Sequence, residues 1–434
     1  MTHTTPRISL ILLATLLAAA CGGPAEQATP TPEPPKELRV YLLDGAPIRQ
    51  VADILIKGYV QRHPGSTVKL VPFNDEPAKE LARLAESGGS PDVVWSIDSL
   101  SESLIEADVL LDMRELASVD QTVDLDGVNP VALSAINGQD RPGLYFLPAS
   151  LETVQMFYNK TLFEKAGAPL PEATWTWDDL IGACGLIQAA SPDVTCLGFS
   201  NPTLPGPEWW LNWGPWVRGY GGSILSEDGK TSQLSSFDAL AGFQAYADLW
   251  TRHKVARRQE RGDCFAQQKC AVVFFVTAGT RLYLETVGDR FEWDVQLMPA
   301  HPKGQFAATA VYGFGIARGT QNREAAWDFV KYLVSPEAQK LILDNRLGLP
   351  VLTSLASGPE IAQLPPPPAN MRAFVDGAAI GIAPWGYPSR CGNLYIGLAQ
   401  TVIGQAVNQV INGADAEEAF KAADQKIQAC LDGN

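Results

Sequence analysis

The chain has 434 residues, with 33 Lys+Arg against 48 Asp+Glu and a formal net charge of −15. That length exceeds one ordinary core and calls for two or three lobes. The acidic balance gives no electrostatic footing for nucleic acid, which needs clustered cations. A 46% hydrophobic content excludes disorder throughout, and 11 Trp supply flat apolar faces for a core or a stacking site.

Arg7 precedes an apolar run from Ile8 to Ala20, followed by Cys21. The run is too short to span a bilayer and reads as a signal peptide over residues 1–20. Leu17-Ala18-Ala19-Ala20 before Cys21 resembles the lipobox of bacterial lipoproteins, which implies lipidation of Cys21 and a membrane anchor. The usual Leu three places before the cysteine is here Ala18, so Ala18-x-Ala20 also suits a plain secretory peptidase and a soluble, secreted product. Residues 21–36, dense in Pro with little to bury, form a disordered spacer behind that cysteine.

Without Cys21 the cysteines number six: Cys184, Cys196, Cys264, Cys270, Cys391 and Cys430. An even set in an exported chain implies three disulfides. Locality in sequence pairs Cys184 with Cys196, Cys264 with Cys270 and Cys391 with Cys430, although six cysteines formally allow about fifteen connectivities. Cys264-x5-Cys270 lacks the usual zinc spacing and histidines are few, so no metal or cofactor is expected.

In chain order, Glu37–Leu43 reads as a strand, followed by a helix carrying Ile48, Val51, Leu55 and Tyr59. A strand at Ser66–Pro72, a helix over Glu76–Ser87 and a buried strand at Pro91–Trp95 follow. This alternation implies a parallel α/β sheet with ligand residues at the carboxyl ends of its strands, where Asp44, Trp95 and Asp98 fall. Leu144–Lys160 is too long for one strand and contains Pro148, which suits a chain crossing between lobes.

Thr176 or Asp178 is a candidate helix cap. Asn201–Gly222 holds Trp209, Trp210, Trp213 and Trp216 among several prolines, and reads as a loop or short irregular helix. A strand at Ala271–Val276, an extended segment at Ala308–Ile316 and helices over Asn322–Leu333, Ser335–Asn345, Leu394–Ile411 and Asp415–Leu431 complete the pattern. No P-loop or nucleophile elbow is present, and Gly313-x-Gly315 with Gly319 is one residue out of register for a dinucleotide fingerprint.

Three blocks carry a family resemblance. They are Pro91-Asp92-Val93-Val94; Phe157-Tyr158-Asn159-Lys160-Thr161-Leu162-Phe163 with Trp175-Thr176-Trp177-Asp178-Asp179-Leu180; and Val311–Ile316 with Glu324-Ala325-Ala326-Trp327-Asp328-Phe329 and Ser335-Pro336-Glu337. Together they resemble family 1 of the extracellular solute-binding proteins, the maltose-binding-protein-like receptors of carbohydrate ABC importers. The resemblance implies an α/β, two-lobed periplasmic-binding-protein fold of class II type that closes on a sugar by hinge motion. The N-lobe would combine 37–149 with 312–346 and the C-lobe 150–311 with 347–434. Crossings would lie near Pro148–Glu152, Ala307–Gly313 and Gly348–Leu352. The implied partners are a carbohydrate and ABC permease subunits, with no nucleic acid and the protein a monomer.

A sugar presents apolar ring faces and polar edges, so its site needs aromatic rings with carboxylates around them. Trp95, Trp213, Tyr312 and Trp385 are the stacking candidates, with Trp209, Trp210 and Tyr387 behind them. Asp44, Asp98, Glu152 and Arg390 are the hydrogen-bonding candidates. The alternatives are a polyamine receptor, whose site would use the same acids and rings, and a secreted glycoside-active enzyme, which would need a perturbed carboxylate pair.

Overall fold

A computed structural model describes residues 37–43, 46–73, 77–138, 141–199, 206–257, 263–387, 389–394 and 397–433 of the compact unit Lys36–Asn434. The signal peptide, Cys21 and the spacer lie outside these residues, and so does Asp44.

The strands are β1 (Glu37–Leu43), β2 (Thr67–Phe73), β3 (Val93–Ile97), β4 (Phe146–Thr153), β5 (Gln155–Asn159), β6 (Thr195–Gly198), β7 (Cys270–Phe275), β8 (Trp293–Gln296), β9 (Ala307–Ile316) and β10 (Gly381–Ile382). They form two sheets. The first runs β10-β9-β3-β1-β2 with β4 on the other side of β9, and the second runs β6-β7-β5-β8. Helices Ala46–Arg62 and Pro77–Glu86 link β1, β2 and β3, which are parallel as the sequence pattern implies. Both sheets are nevertheless mixed. β9 reaches the first sheet after β8 of the second and pairs antiparallel with both β3 and β4.

The long Leu144–Lys160 segment is two strands in two sheets. Pro148, which has no N–H to give a ladder, sits where the β4–β9 register shifts between Pro148 and Ser150. Val154 alone separates β4 from β5, so one residue carries the chain from the first sheet to the second. Every residue of both strands is buried.

Three segments run side by side at this passage. Leu151 is opposite Val311 of β9, and it also exchanges backbone hydrogen bonds with Leu349 at 3.1 and 2.8 Å. Gln339, fully buried, donates to the Ala149 carbonyl at 2.9 Å and accepts from Val351 N at 2.6 Å, so its amide ties two of the three segments. A buried amide satisfied at both ends fixes register where an apolar side chain could not.

Local chemistry explains the helix starts. Thr176 and Asp179 form a reciprocal capping box at Trp177–Ala190, and Ser335 and Asp415 cap Pro336–Asp344 and Ala416–Leu431. The Trp-rich stretch contributes a helix, Trp210–Gly219, with Pro215 inside it. Three disulfides join Cys184 to Cys196, Cys264 to Cys270 and Cys391 to Cys430, the pairs that locality in sequence suggests.

Candidate functional site

The candidate residues form two groups. The first gathers on β3, β4 and β9 and on the helix that follows β3. Ile97 is opposite Tyr312 across the β3–β9 ladder, and Trp95 and Tyr312, two steps apart on one face, stack at 5.6 Å between centroids and 27° between planes. Phe73 closes the far side of Trp95.

Asp98 opens the helix Asp98–Glu106, where the N-terminal amides favour a carboxylate. Its Oδ1 accepts from Ser99 N at 2.7 Å and its Oδ2 from Val311 N at 3.1 Å. Burial nevertheless pushes this carboxyl up to about 7.

Glu152 has no exposed surface. Its Oε2 accepts from Ala278 N at 3.0 Å, ahead of the helix Gly279–Thr286, while its Oε1 is buried with no hydrogen-bond partner among the described residues. Burial pushes it up to about 8, against the pull of the Thr277 and Ala278 amides. Tyr312 lies in the field of both acids, so its hydroxyl is held protonated by burial and by their charge. A buried carboxyl oxygen left without a partner is costly unless something supplies one.

The second group is built on the helix Trp210–Gly219. Trp210, Gly214 and Arg218 recur at intervals of four and share a face. Trp385 lies on that face, parallel to Trp213 at 6.2 Å and 14° and edge-on to Trp210 at 6.5 Å. Its indole N–H donates to Ser223 Oγ at 2.9 Å, and the Arg218 guanidinium sits 4.6 Å from its centroid. Trp209, Trp210 and Trp213 are buried, and Trp213 donates to the Glu208 carbonyl at 2.9 Å. Trp213 also packs on Phe243 at 5.3 Å, so part of this group belongs to the core.

The groups approach each other through Gly386 and Glu102. A Cβ placed on Gly386 would come within 3.1 Å of Glu102 Oε2, and Glu102 is one turn beyond Asp98 on the same helix. Tyr387, next in sequence, is buried with its hydroxyl unpartnered among the described residues, and burial beside Asp424 keeps that hydroxyl protonated.

Arg390 stands apart from both groups. It donates to the carbonyls of Cys430 at 2.9 Å and Leu431 at 2.5 Å, the last turn of the C-terminal helix, where a cation is favoured by the helix dipole. Three further residues, Arg218, Glu102 and Ser223, join the two groups in the fold without being marked by the sequence pattern. Arg218 shares the i, i+4, i+8 face begun by Trp210, but like Glu102 and Ser223 it gains meaning only through long-range packing.

A cavity of about 310 Å³ opens elsewhere, between Arg281, Glu285, Asn345, Arg346 and Pro365, and none of the candidate residues lines it. Among the described residues no group of three or more His, Cys, Asp or Glu could hold a metal ion.

Comparison with known proteins places this geometry. A family model described as bacterial extracellular solute-binding protein matches residues 45–340. A maltooligosaccharide ABC transporter solute-binding lipoprotein of Streptococcus pneumoniae is 25% identical over 377 residues, covering 82% of each chain. The chain spans half the length of the Brucella relatives it also matches, at 27% identity over 217 residues. Among solved structures, an ABC substrate-binding protein of Listeria monocytogenes in complex with cycloalternan superposes with a TM-score of 0.76 at 22% identity, covering 91% of this chain and 99% of that one. UgpB of Mycobacterium tuberculosis, in complex with glycerophosphocholine, gives 0.74 at 19% identity, covering 92% and 98%. The two sheets and their linking strands thus form the two-lobed periplasmic-binding-protein fold.

Proposed function

Because the chain belongs to the bacterial extracellular solute-binding proteins, we propose that it is an extracytoplasmic receptor that captures a carbohydrate by hinge closure and delivers it to an ABC importer. The observation that carries this reading is the pairing of stacked Trp95 and Tyr312 with two buried carboxyls, one with an unpartnered oxygen. Sugar hydroxyls can both donate to and accept from Asp98 and Glu152, and ring C–H faces suit indole and phenol. The relative named for maltooligosaccharide and the structure holding cycloalternan agree with this ligand class.

The hinge reading draws on the three hydrogen-bonded segments around Leu151, Val311 and Leu349. The N-lobe would be 37–149 with 312–346, and the C-lobe 150–311 with 347–434. Domain closure about such crossings would bring the Trp95 group and the Trp385 group onto opposite faces of one ligand. Cys21 would hold the mature protein at the membrane through lipid, with the following spacer lifting the receptor off the surface.

A polyamine fits less well. It would need ionised acids, and burial pushes Asp98 and Glu152 to about 7 and 8. Trp fluorescence titrated with mono-, di- and trisaccharides beside polyamines tests the reading. A saturable response to a saccharide supports it, and a response to polyamines alone overturns it.

A further inference from the structure

Arg218 is a half-buried guanidinium without a counter-charge. No hydrogen bond or ion pair to its guanidinium is present among the described residues, and the guanidinium lies over the face of Trp385. Arg346, also buried, shows the ordinary solution: its guanidinium donates to the carbonyls of Pro365 and Pro367. Burial lowers both arginines from their usual range, and no acid offsets it at Arg218. In a chain of net charge −15, with 48 acids available, such isolation is unusual.

We propose that Arg218 is the specificity-determining residue of the site, and that it takes the carboxylate of an acidic saccharide, a uronate unit, presented beside Trp385. This rests on the receptor reading above. The guanidinium offers a planar fork matched to a carboxylate, and its seat on an indole fixes the plane of that fork. Closing the lobes over an uncompensated cation carries a desolvation cost, which a ligand carboxylate removes. A neutral sugar leaves that cost in place. Asp98 and Glu152, with pKa values raised by burial, oppose an anion less than two ionised acids would.

The test is a titration of the full-length protein, followed by Trp fluorescence and calorimetry. The probes are neutral di- and trisaccharides, each beside the same sugar with its terminal C6 oxidised to a carboxylate. We expect the carboxylated member of the binding pair to bind at least about tenfold tighter, the discrimination of a charge-assisted bidentate pair. Arg218→Gln brings the ratio of the two affinities close to one. Arg218→Lys, which keeps the charge without the fork, gives an intermediate ratio and guards against a folding defect in the first variant. Equal affinities in the wild type, or a preference that survives Arg218→Gln, overturns the assignment and leaves the receptor reading standing. If no member of the panel binds, the receptor reading fails and the assignment fails with it. A third set bearing a C6 phosphate separates anion sources: tighter binding there than to the carboxylate overturns the uronate.

Discussion

Leu151 and Leu349 hold each other through two backbone hydrogen bonds, 3.1 and 2.8 Å, while Leu151 pairs with Val311 on its other side. Under the proposed closure, rotation between the sheets would be absorbed within a few residues of this triple row, where small residues in unusual backbone conformations suit a hinge. Gly348 is one. Its φ of +143° is disfavoured for residues with a side chain, and a Cβ there would meet Glu152 Oε1 at 2.7 Å and Ser150 Cβ at 3.0 Å. Gly348→Ala is expected to cost about 1–3 kcal/mol through backbone strain. It should also weaken ligand binding, since the lobes no longer meet at the native angle. Urea unfolding with a saccharide titration checks both, and a variant as stable as wild type would remove the hinge argument.

The buried acids make stability depend on pH in a stated direction. Glu152 has a folded value of about 8 against an ordinary 4.5, and Asp98 about 7 against 3.8. Each binds its proton more tightly in the folded state. Their stabilising effect is therefore full below about pH 4, declines as pH rises, and is gone above about 8. Acids such as Asp112 and Asp179, held low by Arg114 and by the Thr176 cap, act oppositely at the acid end, so the comparison must be made within one site. Denaturant midpoints at pH 5, 7 and 9 should show Glu152→Gln gaining on the wild type as pH rises. A constant difference would mean that Glu152 does not titrate in this range.

Much of the fold was legible because local chemistry decided it. Thr176, Ser335 and Asp415 announce helix starts through their side chains, and β1, β2 and β3 follow from short apolar runs between amphipathic helices. The direction of β9 was not legible, because it depends on which sheet the chain has just left. The site divides similarly. Trp95 lies within β3 and Asp98 directly follows it, so both could be placed from the strand pattern, whereas Tyr312, mid-way along β9, meets Trp95 only through the β3–β9 pairing. Arg390 could not, because its role is set by carbonyls at Cys430 and Leu431, some 40 residues later. Arg218 was hidden because an arginine in the last turn of a helix is ordinary until Trp385, far away in sequence, is found beneath it.

Gly214 is the residue that lets Trp385 lie flat on the Trp-rich helix. A Cβ there would stand 3.0 Å from Trp210 Cε3 and 3.4 Å from Trp385 Cζ3. Both neighbours are rigid rings, so the clash cannot be relieved by a flexible tip. Gly214→Val is expected to cost about 1–3 kcal/mol by overpacking and to displace Trp385 from Arg218 and Trp213. The readout is a shifted Trp emission spectrum with reduced saccharide affinity, and a spectrum identical to wild type would show that Trp385 does not depend on this gap.

The Cys391–Cys430 bridge closes a span of 39 residues and ties the Trp385 segment to the C-terminal helix. Arg390, beside it, adds two hydrogen bonds to the end of the same helix, and Asp424 nearly two turns earlier accepts from Ser232, Leu234 and Ser235. The helix is thus anchored on both sides. Removing the bridge as Cys391→Ser with Cys430→Ser is expected to lower unfolding free energy by about 2–4 kcal/mol, chiefly by freeing the unfolded chain. Because Trp385 lies only six residues before Cys391, the same change should loosen its stack on Trp213 and weaken ligand binding more than removal of the Cys184–Cys196 bridge, which joins the helix Trp177–Ala190 to strand β6 of the second sheet. Parallel denaturation and binding curves for the two double variants decide the point. Equal binding losses from both would show that the bridges act through global stability and that Cys391–Cys430 has no special part in holding the Trp385 wall.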